Sequence, residues 1–159
     1  MKVIFLDVDG VLNSEMSRLR ADNNKNWMWN EVDFEHLKLL KKIVEETGAK
    51  IVLSSTWRLY HPKHTGGVRV TDGLVKVLVD KMAELNLSIM DVTPDFKGKK
   101  RGLEIQDWLD HHKEIEKYII IDDDTDMLPE QIPFFVNTTF KDGLTEDLSN
   151  KAILILNSN

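Results

Sequence analysis

Three short apolar runs, each closed by small polar residues, constrain the fold of this chain more than any other feature. Val3-Ile4-Phe5-Leu6 stops at Asp7, with Asp9 and Gly10 just beyond. Ile51-Val52-Leu53 stops at Ser54-Ser55-Thr56, and Ile119-Ile120-Ile121 at Asp122-Asp123-Asp124. Continuous β-branched runs without polar alternation mark strands covered on both faces, as in a parallel sheet. Leu87 to Val92 and Phe134 to Asn137 are weaker strand candidates.

Helical periodicity fills the intervals. Phe34, Leu37, Leu40, Ile43 and Val44 form one stripe, which Gly48 is placed to end. Leu74, Val77, Leu78, Met82 and Leu85 form a second, and Leu103, Ile105, Trp108 and Leu109 a shorter third. Thr145 is placed to cap a last helix carrying Leu148, Ala152, Ile153 and Leu156, with Glu146 and Asp147 in its first turn. Strand alternating with helix predicts a three-layer α/β fold around a mostly parallel sheet. At 159 residues the expectation is one domain, large enough to fold without disulfide or metal.

Two segments fit neither period. Asn13 to Asn30 is polar but carries Trp27, Met28 and Trp29, and Tyr60 to Gly73 holds His61, Lys63, His64, Gly66, Gly67 and Arg69. Both follow the carboxyl ends of predicted strands, where open parallel sheets bind ligands.

Composition removes several function classes. The chain has no cysteine, which excludes a thiol nucleophile, a thiolate zinc site and a disulfide scaffold. Its net charge of −6 argues against stable binding to duplex nucleic acid or to an anionic membrane. The first apolar run is too short for a signal peptide, and no run approaches a membrane span, so a cytoplasmic protein is expected.

Neighbouring parallel strands bring the three polar clusters to one sheet edge. Carboxylates gathered there repel one another unless a cation is present, and an all-oxygen site suits Mg²⁺. The spacing Asp7-x-Asp9-Gly10 adds a division of labour. One carboxylate can attack a phosphorus centre while the other passes a proton to the leaving oxygen. Gly10 permits a tight turn and close approach of backbone N–H groups to an anion.

Phe5-Leu6-Asp7-Val8-Asp9-Gly10-Val11-Leu12-Asn13 resembles the first motif of the haloacid dehalogenase (HAD) superfamily of phosphohydrolases. Ile51-Val52-Leu53-Ser54 resembles its second motif, and Ile119-Ile120-Ile121-Asp122-Asp123 its fourth. The third, a single cation ahead of a helix, falls within Lys97-Gly98-Lys99-Lys100-Arg101-Gly102. Three further stretches resemble the compact HAD domains of RNA-repair proteins. They are Ser54-Ser55-Thr56-Trp57-Arg58, Arg101 to Ile105 with Trp108-Leu109, and Asp122 to Met127.

The resemblance implies a Rossmann-like HAD fold over residues 1–159, with a minimal cap at 13–30 or none. It implies that Asp7 is the nucleophile and forms an aspartyl-phosphate. Asp9 would protonate the leaving alcohol and then activate water. Ser54 would bind a phosphoryl oxygen, assisted by Ser55, with Gly10, Arg58 and Lys100 also facing substrate. Arg101 is the favoured third-motif cation, ahead of Lys100. Mg²⁺ would be held by Asp7, the Asp9 backbone carbonyl, and Asp122 or Asp123. The expected substrate is a nucleotide, a phosphorylated nucleic-acid end or a small metabolite phosphate. Dehalogenases of the superfamily lack the second acid, so Asp9 favours phosphate ester hydrolysis.

Other readings of the same residues are simpler. Asp-Gly is a common turn pair, and a Ser pair can merely begin a turn. Receiver modules also combine acidic clusters with a parallel sheet and Mg²⁺, but place their phospho-acceptor after the third strand. A catalytically idle binding domain of the same fold would not need every catalytic position filled. His61 and His64 lack further partners for zinc, and His111 and His112 read as residues of a helix end. Trp27 and Trp29 are expected to pack against the Phe34 helix, and Trp108 within the core.

Overall fold

A computed structural model describes residues 1–22, 31–64 and 73–158. The chain runs β1 (Lys2–Leu6), α1 (Glu15–Asp22), α2 (Phe34–Thr47), β2 (Lys50–Leu53), a 3₁₀ turn (Thr56–Tyr60) and α3 (Leu74–Glu84). It continues with β3 (Ile89–Val92), α4 (Arg101–His111), β4 (Lys117–Asp122), a second 3₁₀ turn (Pro129–Phe134), β5 (Phe135–Asn137) and α5 (Glu146–Asn157). All five strands are parallel, in the order β3-β2-β1-β4-β5. This is the expected α/β class.

The pleat sorts the apolar runs into two cores. Ile4, Leu6, Ile51, Leu53, Ile119 and Ile121 face a large cluster that includes residues of α2, α3 and α5. Val3, Phe5, Val52 and Ile120 face the other way, onto Ile105 and Trp108 of α4. Trp108 is buried as expected, edge-on to Phe5 with ring centroids 5.3 Å apart. Residues with period two thus serve two layers at once, which is why the runs show no polar alternation.

The strand order explains where a ligand fits. From β1 the chain moves to β2 and β3 on one side, then returns through α4 to place β4 on the other side of β1. Crossovers of one hand that step in opposite directions must pass over opposite faces, so α4 lies across the sheet from α2 and α3. The carboxyl ends of β1 and β4 therefore flank a topological switch point, the usual crevice of open α/β sheets.

Local signals behave as the residues dictate. Asp33 caps α2 by accepting the Glu35 N–H, and Gly48 ends it with φ of 69°. Thr145 caps α5 by accepting from Leu148. Three expectations need correction. Leu103 is 40% exposed, and the buried face of α4 is Gly102, Glu104, Ile105 and Trp108. Leu87 lies before β3, in the turn where its N–H reaches the Met82 carbonyl. Within the polar stretch 13–30, residues 15–22 form α1, whereas Trp27 and Trp29 lie outside the described residues, as do Gly66, Gly67 and Arg69.

Candidate active site

Backbone pairing continues one residue past each strand and sets the site. Asp7 N–H donates to Ile121 O at 3.0 Å, and Ser54 N–H to Leu6 O at 2.8 Å. Thr93 N–H donates to Leu53 O and Thr138 N–H to Asp122 O. Asp7, Ser54, Thr93 and Asp122 are thereby aligned along one edge of the sheet. After Asp7 the chain turns sharply: Val11, Leu12 and Asn13 all direct their N–H groups at the Val8 carbonyl.

Gly10 makes that turn with φ of 71° and lies against Asp123. A Cβ at Gly10 would stand 2.3 Å from an Asp123 carboxylate oxygen, so only glycine fits both the angle and the approach. Thr138 donates its hydroxyl to the Gly10 carbonyl at 2.8 Å and ties the turn to the end of β5.

Asp7, Asp122 and Asp123 each offer a carboxylate oxygen within 4.8 Å of the others. Among the described residues this is the one group able to hold a metal, and no histidine belongs to it. Burial pushes the Asp7 carboxyl up to about 7, against the opposing pull of Arg101 and a hydrogen bond from Ser55. Burial, then the Asp7 charge, pushes Asp122 up to about 8. Asp123 is raised as well, by burial and by Asp124. Asp122 Oδ1 accepts the Asp124 N–H at 2.9 Å, but the buried Oδ2 accepts no hydrogen bond. An orphaned buried acceptor among three crowded carboxyls fits a hard divalent cation with oxygen ligands.

Arg101 is the cation that reaches this group. Its Nη2 stands 3.8 Å from Asp7 Oδ1 and its Nε 3.6 Å from Asp122 Oδ2. Lys97, Lys99 and Lys100 are exposed on the approach to α4. The Arg101 N–H donates to Asp126 Oδ2 at 2.8 Å, so Asp126 anchors the first turn of α4. Beside Arg101 a cavity of about 250 Å³ opens between Thr56, Asp95, Lys99 and Asp124.

Asp9 is held differently. The Trp57 indole Nε1–H donates to its Oδ2 at 2.9 Å, and the Asn13 side-chain amide to its Oδ1 at 2.8 Å. Its carboxylate is thus engaged outside the metal group. Ser54 is buried, its hydroxyl accepting from Thr93 at 3.4 Å, with the Ser55 hydroxyl on Asp7.

Arg58, expected to face substrate, lines the cavity beside Arg101 and is also held by the protein itself. It is 3% exposed and donates to Glu104 Oε2 and Ser55 O, both at 2.7 Å, and to Pro94 O at 3.2 Å. A charge at a strand end reads as a substrate contact until its partner is known, and Glu104 is 46 residues away. Trp57, Thr138 and Asp126 were missed as supports for the same reason, whereas the missed Asn13 lies only four residues from Asp9. A tryptophan four residues past a strand end, with its single N–H to satisfy, was the one available signal.

No curated protein and no solved structure matches the chain. A family model described as the HAD domain in Swiss Army Knife RNA repair proteins matches residues 3–148, which include all the carboxylates of the site and, but for Lys2, every strand. With that match and the parallel sheet that carries Asp7 and Asp122 to one crevice, the chain belongs to this family of HAD-type hydrolase domains.

Proposed function

We propose that the chain is a Mg²⁺-dependent phosphomonoester hydrolase that works through an aspartyl-phosphate on Asp7. The observation that carries this reading is the convergence of Asp7, Asp122 and Asp123 beside Arg101, with Asp9 two residues from the nucleophile. Asp7, Asp122, Asp123 and the Asp9 carbonyl would hold the ion. When bound, it neutralises the gathered carboxylates and polarises a phosphoryl oxygen.

Asp7 attacks phosphorus, and the bond to the ester oxygen breaks with its electron pair on that oxygen. The Asp9 carboxyl supplies the proton, and the alcohol leaves. Water then attacks the phosphorus of the aspartyl-phosphate. Asp9, now a carboxylate, takes the water proton, and phosphate departs from a restored Asp7. Arg101 offsets charge on the transferring group, and the Ser54 and Ser55 hydroxyls orient it.

Nucleotides or phosphorylated nucleic-acid ends are the proposed substrates. The family description and the exposed Lys97, Lys99 and Lys100 ahead of Arg101 support that choice. With the purified protein, turnover of an aryl phosphate is expected to require Mg²⁺ and to fall to background in Asp7→Asn. Undiminished turnover in that variant, or none in the native protein, would falsify the mechanism. A panel of nucleotides, 3′- and 5′-phosphorylated oligonucleotides and sugar phosphates then ranks the substrates. Preference for the sugar phosphates would move the assignment to a metabolite phosphatase.

A further inference from the structure

We infer that Trp57 is a positioning residue for proton transfer: its indole N–H holds the Asp9 carboxyl group in line for the leaving oxygen. The inference rests on the phosphohydrolase reading and adds a residue to it. Trp57 is 3% exposed, and its Nε1–H donates to Asp9 Oδ2 at 2.9 Å. An indole has one donor in a fixed direction, so a packed ring aims that donor at one point.

The ring is itself fixed. It belongs to the 3₁₀ turn Thr56–Tyr60, whose cap, Ser55, has its carbonyl gripped by the buried Arg58 guanidinium. Asn13 Nδ2 meets the other carboxylate oxygen at 2.8 Å, and Asn13 Oδ1 accepts the Gly10 N–H at 3.1 Å. Asp9 is therefore clamped between the turn after β1 and the turn after β2. Each of its oxygens accepts one N–H and keeps a lone pair, which is enough to carry the transferred proton. Clamping removes the rotamer search that would otherwise precede each transfer.

A structural alternative is plain: a buried indole needs an acceptor, and Asp9 is the nearest. The two differ in their dependence on the leaving group. Dinitrophenolate departs without a proton, whereas an alkoxide needs one. In Trp57→Phe, kcat/KM for an alkyl phosphate is expected to fall about tenfold or more, and for dinitrophenyl phosphate by less than about threefold. Equal losses on the two esters, or no loss on either, would overturn the inference.

The Trp57 indole N–H resonance gives a second readout that needs neither turnover nor a folded Trp57 variant. It is expected to move in Asp9→Ala while the other indole resonances stay. A resonance that does not move removes the contact and the inference with it. If the native protein hydrolyses no ester, the phosphohydrolase reading fails, and the resonance still judges the contact separately.

Discussion

Arg58 and Glu104 put opposite charges in the interior at 3% and 5% exposure, which is costly unless each finds every partner it needs. Most of those partners are met by joining three segments that flank the site, although the buried Arg58 Nε has no hydrogen-bond partner. Arg58 reaches the Ser55 and Pro94 carbonyls, while Glu104 Oε1 accepts the Phe96 N–H at 2.9 Å. Glu104 lies one turn after Arg101, so the pair also fixes the helix that carries Arg101 to the carboxylate cluster. Glu104→Ala leaves the buried guanidinium with only the more distant Asp95 carboxylate, 3.7 Å away, and is expected to cost about 3 kcal/mol. Chemical denaturation measures it; a loss below about 1 kcal/mol would return Arg58 to the status of an ordinary surface cation. The burial of Arg58 was not legible in sequence, because it depends on Glu104, Ser55 and Pro94 jointly, and no local pattern encodes that.

At the scale of elements, α4 is the piece whose placement decides whether the site exists. Gly102, its second residue, lets the helix touch the chain that leaves β4. A Cβ there would stand 2.6 Å from the Leu128 nitrogen and 2.6 Å from Gln131 Oε1. Gln131 is buried, and its amide donates to the Gly102 carbonyl at 2.9 Å, so neither neighbour is free to retreat. On helix propensity alone Gly102→Ala should stabilise by about 0.5–1 kcal/mol. The contact reverses the sign: a loss of roughly 1–3 kcal/mol is expected, with a lower kcat as Arg101 is displaced. A more stable and fully active Gly102→Ala would show that α4 has room to spare. Elements with continuous or periodic apolar residues were legible in sequence: β1, β2, β4, α2 and α5. So was the meeting of Asp7 with Asp122, which follows from strand adjacency. Less legible was β3, an edge strand of half-buried residues, and α1 was hidden altogether. The first N–H groups of α1 bond to the Phe140 and Lys141 carbonyls, partners more than 120 positions away that no helical signature announces. Asp126 on Arg101 and Thr138 on Gly10 escaped notice on the same ground.

Across the whole molecule, the crowding of acids at one sheet edge couples stability to pH, and the proposed ion would couple it to metal as well. Asp7 and Asp122 are pushed up to about 7 and about 8, well above their ordinary 3.8. A carboxyl whose folded pKa is raised favours the fold most at low pH, below its unfolded value. That contribution is lost as pH rises through the folded values, because the native state must then hold charges it has buried. His36 acts in the opposite sense. Burial holds it below its ordinary 6.5, with Nδ1 on the Leu144 carbonyl at 2.8 Å and Nε2 on Ser14 at 3.2 Å. Its neutral form supports the fold fully above pH 6.5, and that support falls away as pH drops below that value. Metal-free protein should therefore unfold at a falling Tm between about pH 6 and about pH 9, as the carboxyls ionise. Mg²⁺ binds only the ionised cluster, so its increment in Tm should be larger at the higher pH. Asp122→Asn keeps the shape, removes one charge, and should flatten the metal-free slope while abolishing most of the Mg²⁺ response. Thermal unfolding of the two proteins, with chelator and with Mg²⁺, measures all three effects. A flat metal-free profile, or a Mg²⁺ increment no larger at high pH, would mean that Asp7, Asp122 and Asp123 do not share an ion.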